Sequence, residues 1–165
     1  MNLIEIQVEA NKKMKQHGLT DQGWVFELDN SKRRMGVCKY TKKVIGLSKN
    51  LCVHATDEKV VDTILHEIAH ALVGDGHGHD RVWVRKALEI GCRAERCYSA
   101  ETAFTEEGRE AVLLQAKYTM TCPSCGGSHA KHRKSKRNTA CGKCCIKYNN
   151  GRYTSEFNFV TTQNY

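Results

Sequence analysis

The sequence predicts an α+β fold in two parts: a compact unit of helices with a small antiparallel sheet, then a small module pinned by paired cysteines. Helical periodicity dominates residues 3–16, 57–73 and 81–90, while short apolar runs bounded by polar turns fall between 24 and 48. Two Cys-x-x-Cys pairs lie near the C-terminal end. Charge divides the same way: residues 1–116 hold 17 basic and 17 acidic side chains, and residues 117–165 hold 9 basic and 1 acidic. The second part therefore supplies the whole net charge of +8. The expected divisions are a first domain over 1–116, a cysteine module over 117–155 and a C-terminal tail over 156–165, in which the polar residues Asn158 to Tyr165 are expected to be loosely held.

The elements follow in chain order. Leu3 to Gln16 reads as an amphipathic helix ended by Gly18. Trp24–Leu28, Met35–Tyr40 and Val44–Ser48 read as three strands of a meander, joined by polar turns at Asp29-Asn30-Ser31 and Thr41-Lys42. Thr56, followed by Asp57 and Glu58, opens the next helix as an N-cap with first-turn acids. Val61, Ile64, Leu65, Ile68 and Leu72 make its apolar stripe, and it should end near Gly74. Asp80 can cap a helix that runs to about Ile90 and stops at Gly91. Glu106 to Lys117 reads as a connecting helix. Asn149-Asn150-Gly151, between Ile146–Tyr148 and Arg152–Thr154, carries the signal of a hairpin turn.

The segment His66-Glu67-Ile68-Ala69-His70 bears the chemistry. Positions i and i+4 of a helix share a face, so both imidazoles can point at one metal ion. Glu67 lies about 100° round the helix, within reach of a water on that metal but outside its ligand set. This is the donor pattern of a zinc hydrolase, in which the metal acidifies water and the carboxylate takes its proton. Such a site needs a third protein ligand and an open fourth position. The turn Gly74-Asp75-Gly76-His77-Gly78-His79 offers two candidates, His79 first and His77 as its alternative. With His79, Trp83 would lie one turn further on and pack beneath the metal.

Cys122-Pro-Ser-Cys125, 15 residues and Cys141-Gly-Lys-Cys144 have the two-knuckle spacing of a structural zinc site, with Cys145 an alternative to Cys144. Disulfides would need an oxidising compartment. The N-terminal segment is too broken by polar residues for a signal-peptide core, and no apolar run approaches the ~20 residues of a membrane span. A reducing, cytoplasmic, DNA-associated setting without export is therefore expected, with Cys38, Cys52, Cys92 and Cys97 as ordinary thiols. Between the cysteine pairs, Lys131, Arg133, Lys134, Lys136 and Arg137 crowd one loop, and no carboxylate occurs from 117 to 155. Phosphate contact explains such a run better than solvation alone. Tyr118, Tyr148 and Tyr153 are available for base stacking.

These residues together resemble the SprT-like (Spartan-type) zinc metallopeptidases. The likeness runs through Lys43–Ser48, through Ile64–Leu72 with its two histidines, through His79 and Trp83, and into the cysteine module, over roughly residues 1–148. It implies a compact zincin-type peptidase unit followed by a four-cysteine zinc ribbon, and proteins crosslinked or tightly bound to DNA as substrates. The expected protein is a monomeric zinc endopeptidase that holds one catalytic and one structural Zn2+, with Glu67 as base and the ribbon contacting DNA, single- or double-stranded. The alternative is a non-proteolytic DNA-binding or regulatory protein that uses the zincin unit as an interaction module. A metal hydrolase acting on something other than protein is a third possibility.

Overall fold

The computed structural model describes residues 1–95 and 100–165, so the expectation for Cys97 lies outside the described residues. The chain forms two compact units, Met1–Arg109 and Glu110–Tyr165. Among the described residues, no helix is long and apolar enough to cross a membrane.

In the first unit, α1 spans Leu3–Gln16. The Asn2 side chain accepts from the Ile4 and Glu5 amides while Glu5 reaches back to the Asn2 N–H, a reciprocal cap that satisfies donors the helix cannot. Ile6, Ala10 and Met14 recur at helical spacing and are buried. Gly18 then takes a φ of 70°, which favours glycine, and the chain turns.

Strands β1 (Val25–Asp29), β2 (Gly36–Lys39) and β3 (Val44–Ser48) form one sheet in the order β1-β3-β2. The expected meander is corrected here: β1 runs parallel to β3, with Val25 beside Val44, and only β2 is antiparallel to it, with Gly36 beside Leu47. Burial gives the reason. Every residue of β3 is buried, whereas none in β1 or β2 is. The strand covered on both faces takes the middle, and the half-exposed strands take the edges. The β1–β2 connection is tied down by Asp29, which accepts from the Ser31 amide and the Arg34 guanidinium at 2.8 Å each, and by the Ser48 hydroxyl donating to the Ser31 carbonyl.

After the short helix α2 (Lys49–Cys52) comes α3, Asp57–Val73, capped by Thr56 through the Lys59 amide and closed at Gly74 with φ 85°. Its burial extends well beyond the expected stripe: Val60, Asp62, Thr63, Glu67 and His70 are buried along with Ile64, Leu65 and Ile68, so its polar face is covered too. Helix α4 (Arg81–Glu89) starts on Asp80 and ends at Ile90. Leu65, Ala69, Trp83, Ala87 and Cys92 form one apolar cluster between these helices. Buried Asp62 locks the chain after α4, accepting from the Arg93 amide at 2.9 Å and from Lys59 at 3.0 Å. Helix α5 (Ala100–Ala103) leads back to α3, since the Thr56 amide donates to the Ala103 carbonyl.

Helix α6 (Glu106–Leu114) carries the division between the units, several residues before the expected boundary at 116. In the second unit, β4 (Tyr118–Thr121), β5 (Ser128–Lys131) and β6 (Val160–Gln163) form an antiparallel sheet in the order β5-β4-β6. Two expectations give way. The expected hairpin around Asn149–Gly151 is instead the end of α7 (Gly142–Asn149), with Asn150 at φ 50° and the Gly151 amide returning to the Cys145 carbonyl. The Asn-Gly signal marks left-handed backbone, and a helix C-cap uses that as readily as a hairpin does. Asn158 to Tyr165 is not loose either: β6 pairs with β4 from Tyr118↔Gln163 to Thr121↔Val160, and the Asn164 side-chain amide donates to the Leu113 and Ala116 carbonyls, while Phe157 just before is buried among the cysteines.

Candidate functional site

Helix α3 places His66 and His70 one turn apart, and the turn after Gly74 swings His79 onto them. The Nε2 atoms of His66 and His79 lie 3.0 Å apart, and those of His70 and His79 lie 3.3 Å apart. Trp83 lies beneath all three, its ring centre 4.6 Å from His66, 5.1 Å from His70 and 4.6 Å from His79. Asp80 makes this possible by doing two jobs. Its Oδ1 accepts from the Val82 and Trp83 amides and starts α4, while its Oδ2 meets His77 Nδ1 at 2.8 Å. His79 is thus brought to the other two imidazoles and His77 is drawn aside.

The donor set fits a zinc ion. Tetrahedral zinc at ~2.0–2.1 Å from each nitrogen spaces its ligand atoms ~3.3 Å apart, close to the separations found. A proton on His79 Nε2 can serve one neighbouring imidazole but not both, whereas a cation among the three serves all of them. Burial, reinforced by the neighbouring imidazoles, pushes His66 and His70 down to about 4, so both rings are neutral donors at neutral pH.

Glu67 is buried (7 % exposed) beside the histidines, and burial pushes its carboxyl up to about 8, against the pull of Arg34. The histidines and Glu67 line a cleft of about 550 Å³. Its opposite wall is β2 and the segment before it, Arg33 to Cys38, with Tyr40, Lys59, Thr63 and Glu95 completing the lining. On the family resemblance the strands beside the metal helix are expected to wall such a cleft, and β2 does so. What the sequence reading missed is how closely Gly36 approaches the helix, although a glycine inside a strand pattern is the mark of such an approach.

In the second unit, Cys122, Cys125, Cys141 and Cys144 converge. Cys122 and Cys144 have their sulfurs 3.7 Å apart, as do Cys125 and Cys141. That is far beyond a disulfide bond and matches the ~3.7 Å spacing of four thiolates each ~2.3 Å from a tetrahedral zinc. The first pair sits on a tight turn, where the Gly126 amide donates to the Cys122 carbonyl and the Cys122 amide to the Gly127 carbonyl. The second pair lies on the first turn of α7 rather than on a matching knuckle. Cys145 stays outside the four, packed near Phe157. Among the described residues all eight cysteines are free of disulfides. Burial pushes Cys38 and Cys52 up to about 12 and Cys92 up to about 11, which keeps them as thiols.

Lys131, at the end of β5, and Arg133, Lys134, Lys136 and Arg137 in the following loop are all exposed. Tyr148 and Tyr153 are exposed as well, whereas Tyr118 is half-buried in β4.

Fold and donor sets together define a class: an α+β protein of the zinc-metallopeptidase type, with a three-histidine group and a four-cysteine group that could each bind metal. The chain belongs to the SprT-like family, whose sequence profile matches residues 4–103, well over half of its length. That match ends before the second unit, so the cysteine cluster stands on its own geometry. No curated protein matches the chain.

Proposed function

We propose that this protein is a zinc-dependent endopeptidase acting on protein bound or crosslinked to DNA. One observation carries the reading: Glu67 is a buried carboxyl at the side of three converging imidazoles, in an open cleft. His66, His70 and His79 would hold the ion, which when bound supplies Lewis acidity to the scissile carbonyl and to water. Glu67 takes the proton from the attacking water and hands it to the leaving amine. Burial holds the Glu67 carboxyl above its ordinary range, and a nearby cation would lower it, so the two influences oppose each other at the group that must both accept and release the proton. A pure scaffold would have no use for a carboxyl buried there. Strand β2 lies at the edge of its sheet and lines the cleft, so an extended peptide can be received by backbone pairing.

The second unit would bind a structural zinc through Cys122, Cys125, Cys141 and Cys144 and engage DNA phosphates through Lys131, Arg133, Lys134, Lys136 and Arg137. Engagement raises the local concentration of DNA-bound substrate rather than reshaping the cleft. The test is cleavage of a DNA-bound protein, with and without DNA, by wild type and Glu67→Gln. DNA should stimulate the wild type, and the variant should keep its zinc while proteolysis falls roughly 10²-fold or more. Equal rates in the two proteins would remove Glu67 from the mechanism. DNA binding without any turnover in the wild type would favour the regulatory alternative.

A further inference from the structure

Gly36 opens β2 opposite Leu47 of β3, on the wall of the cleft that faces α3. Its backbone is not in the left-handed region, so conformation does not demand a glycine there. Space does. A Cβ at Gly36 would lie 2.5 Å from Oε1, 2.8 Å from Cγ and 3.0 Å from Cδ of Glu67. Contact with Cγ as well as the carboxylate means that the whole side chain would have to move, not only its tip. At Gly46, in the neighbouring strand, a Cβ would meet a methyl of Val37 at 3.0 Å and nothing else closer than 3.6 Å, which is ordinary strand crowding. Among the described residues no hydrogen bond holds the Glu67 carboxylate, so packing is what orients it.

We infer that Gly36 is a positioning residue: the missing side chain is the slot in which Glu67 lies, and β2 thereby aims the carboxylate within the cleft. The catalytic half of this inference rests on the peptidase reading above; the slot itself does not. Displacing a reacting group by about 1 Å can cost on the order of 10²-fold in rate, so even methyl-sized intrusion matters.

A double-mutant cycle on the full-length, zinc-loaded chain tests it, using Gly36→Ala, Glu67→Ala and both together. Urea unfolding should show Gly36→Ala lowering the midpoint in the wild-type background and costing little once Glu67 is truncated, because the clash has gone. Should Gly36→Ala alone fail to fold, folding of the double variant supports the slot in the same way. Gly36→Ala should keep two zinc ions by metal analysis, lower kcat about tenfold or more and leave KM within about twofold. An equal midpoint loss in both backgrounds would make Gly36 merely structural, and wild-type kcat in Gly36→Ala would overturn the positioning role. If the wild type cleaves nothing, the peptidase reading falls, while non-additive unfolding still upholds the slot.

Discussion

The two clusters of ligating side chains are built on opposite principles. The histidines sit at the mouth of a cleft, with His79 exposed and a buried carboxyl alongside. The four cysteines close on themselves, with Cys122, Cys141 and Cys144 buried and only Cys125 exposed. An open donor set leaves a position for a substrate or water, and a closed one spends every position on holding chain together. Their surroundings differ accordingly. Ile6, Met14, Leu19, Ile45, Leu47, Ile64, Ile68 and Trp83 are fully buried in the first unit, which has an apolar core of its own. In the second, Met120 and Phe157 are the buried apolar side chains larger than alanine among the described residues, cysteines aside. A core that small does not hold without further constraint. On the reading proposed above, a metal would supply chemistry in one unit and folding energy in the other.

Removing cysteines should break the comparison most visibly. Structural zinc contributes on the order of 10–16 kcal/mol in small modules, so Cys122→Ser/Cys125→Ser should unfold residues 110–165. Amide exchange should rise throughout that unit and stay slow in the first, while the zinc content drops from two per chain to one. Protection persisting in the second unit would show that it has a core independent of metal.

The histidine cluster should respond locally. His79→Ala should release one zinc and abolish cleavage, and the unfolding midpoint of the first unit should move little, because its apolar core is untouched. His77→Ala should keep both ions and most of the activity, losing only the contact with Asp80. Zinc loss confined to His77→Ala would reverse the ligand assignment.

The smallest effect belongs to the basic loop, whose cations belong to neither donor set. If three to five phosphates are neutralised, the log–log salt dependence of duplex DNA binding should have a slope of roughly −3 to −4.5. Replacing Lys131, Arg133, Lys134, Lys136 and Arg137 by Gln should flatten it and abolish DNA stimulation, with cleavage of a free peptide nearly unchanged. An unaltered slope would return the loop to a solvated surface.

The order of residues along the chain is enough to decide whatever depends on neighbours a few positions away. His66 and His70 share a helix face because the α-helix repeats in 3.6 residues, and two Cys-x-x-Cys pairs imply a four-sulfur group by spacing alone. Thr56, Asp80 and Gly74 mark helix ends because capping is a local bond. Left-handed backbone at Asn150-Gly151 is equally local, but its use is not: a hairpin and a helix end both call for it, and the packing of Cys144, Cys145 and Phe157 decides for the helix. The parallel pairing of β1 with β3, the return of β6 to β4 and the choice of His79 over His77 in the histidine group are decided only by tertiary structure. So is the nearness of Gly36 to Glu67, 31 positions apart in the chain. Such contacts join segments whose spacing in sequence carries no periodicity, and they are selected by which surfaces must be buried together.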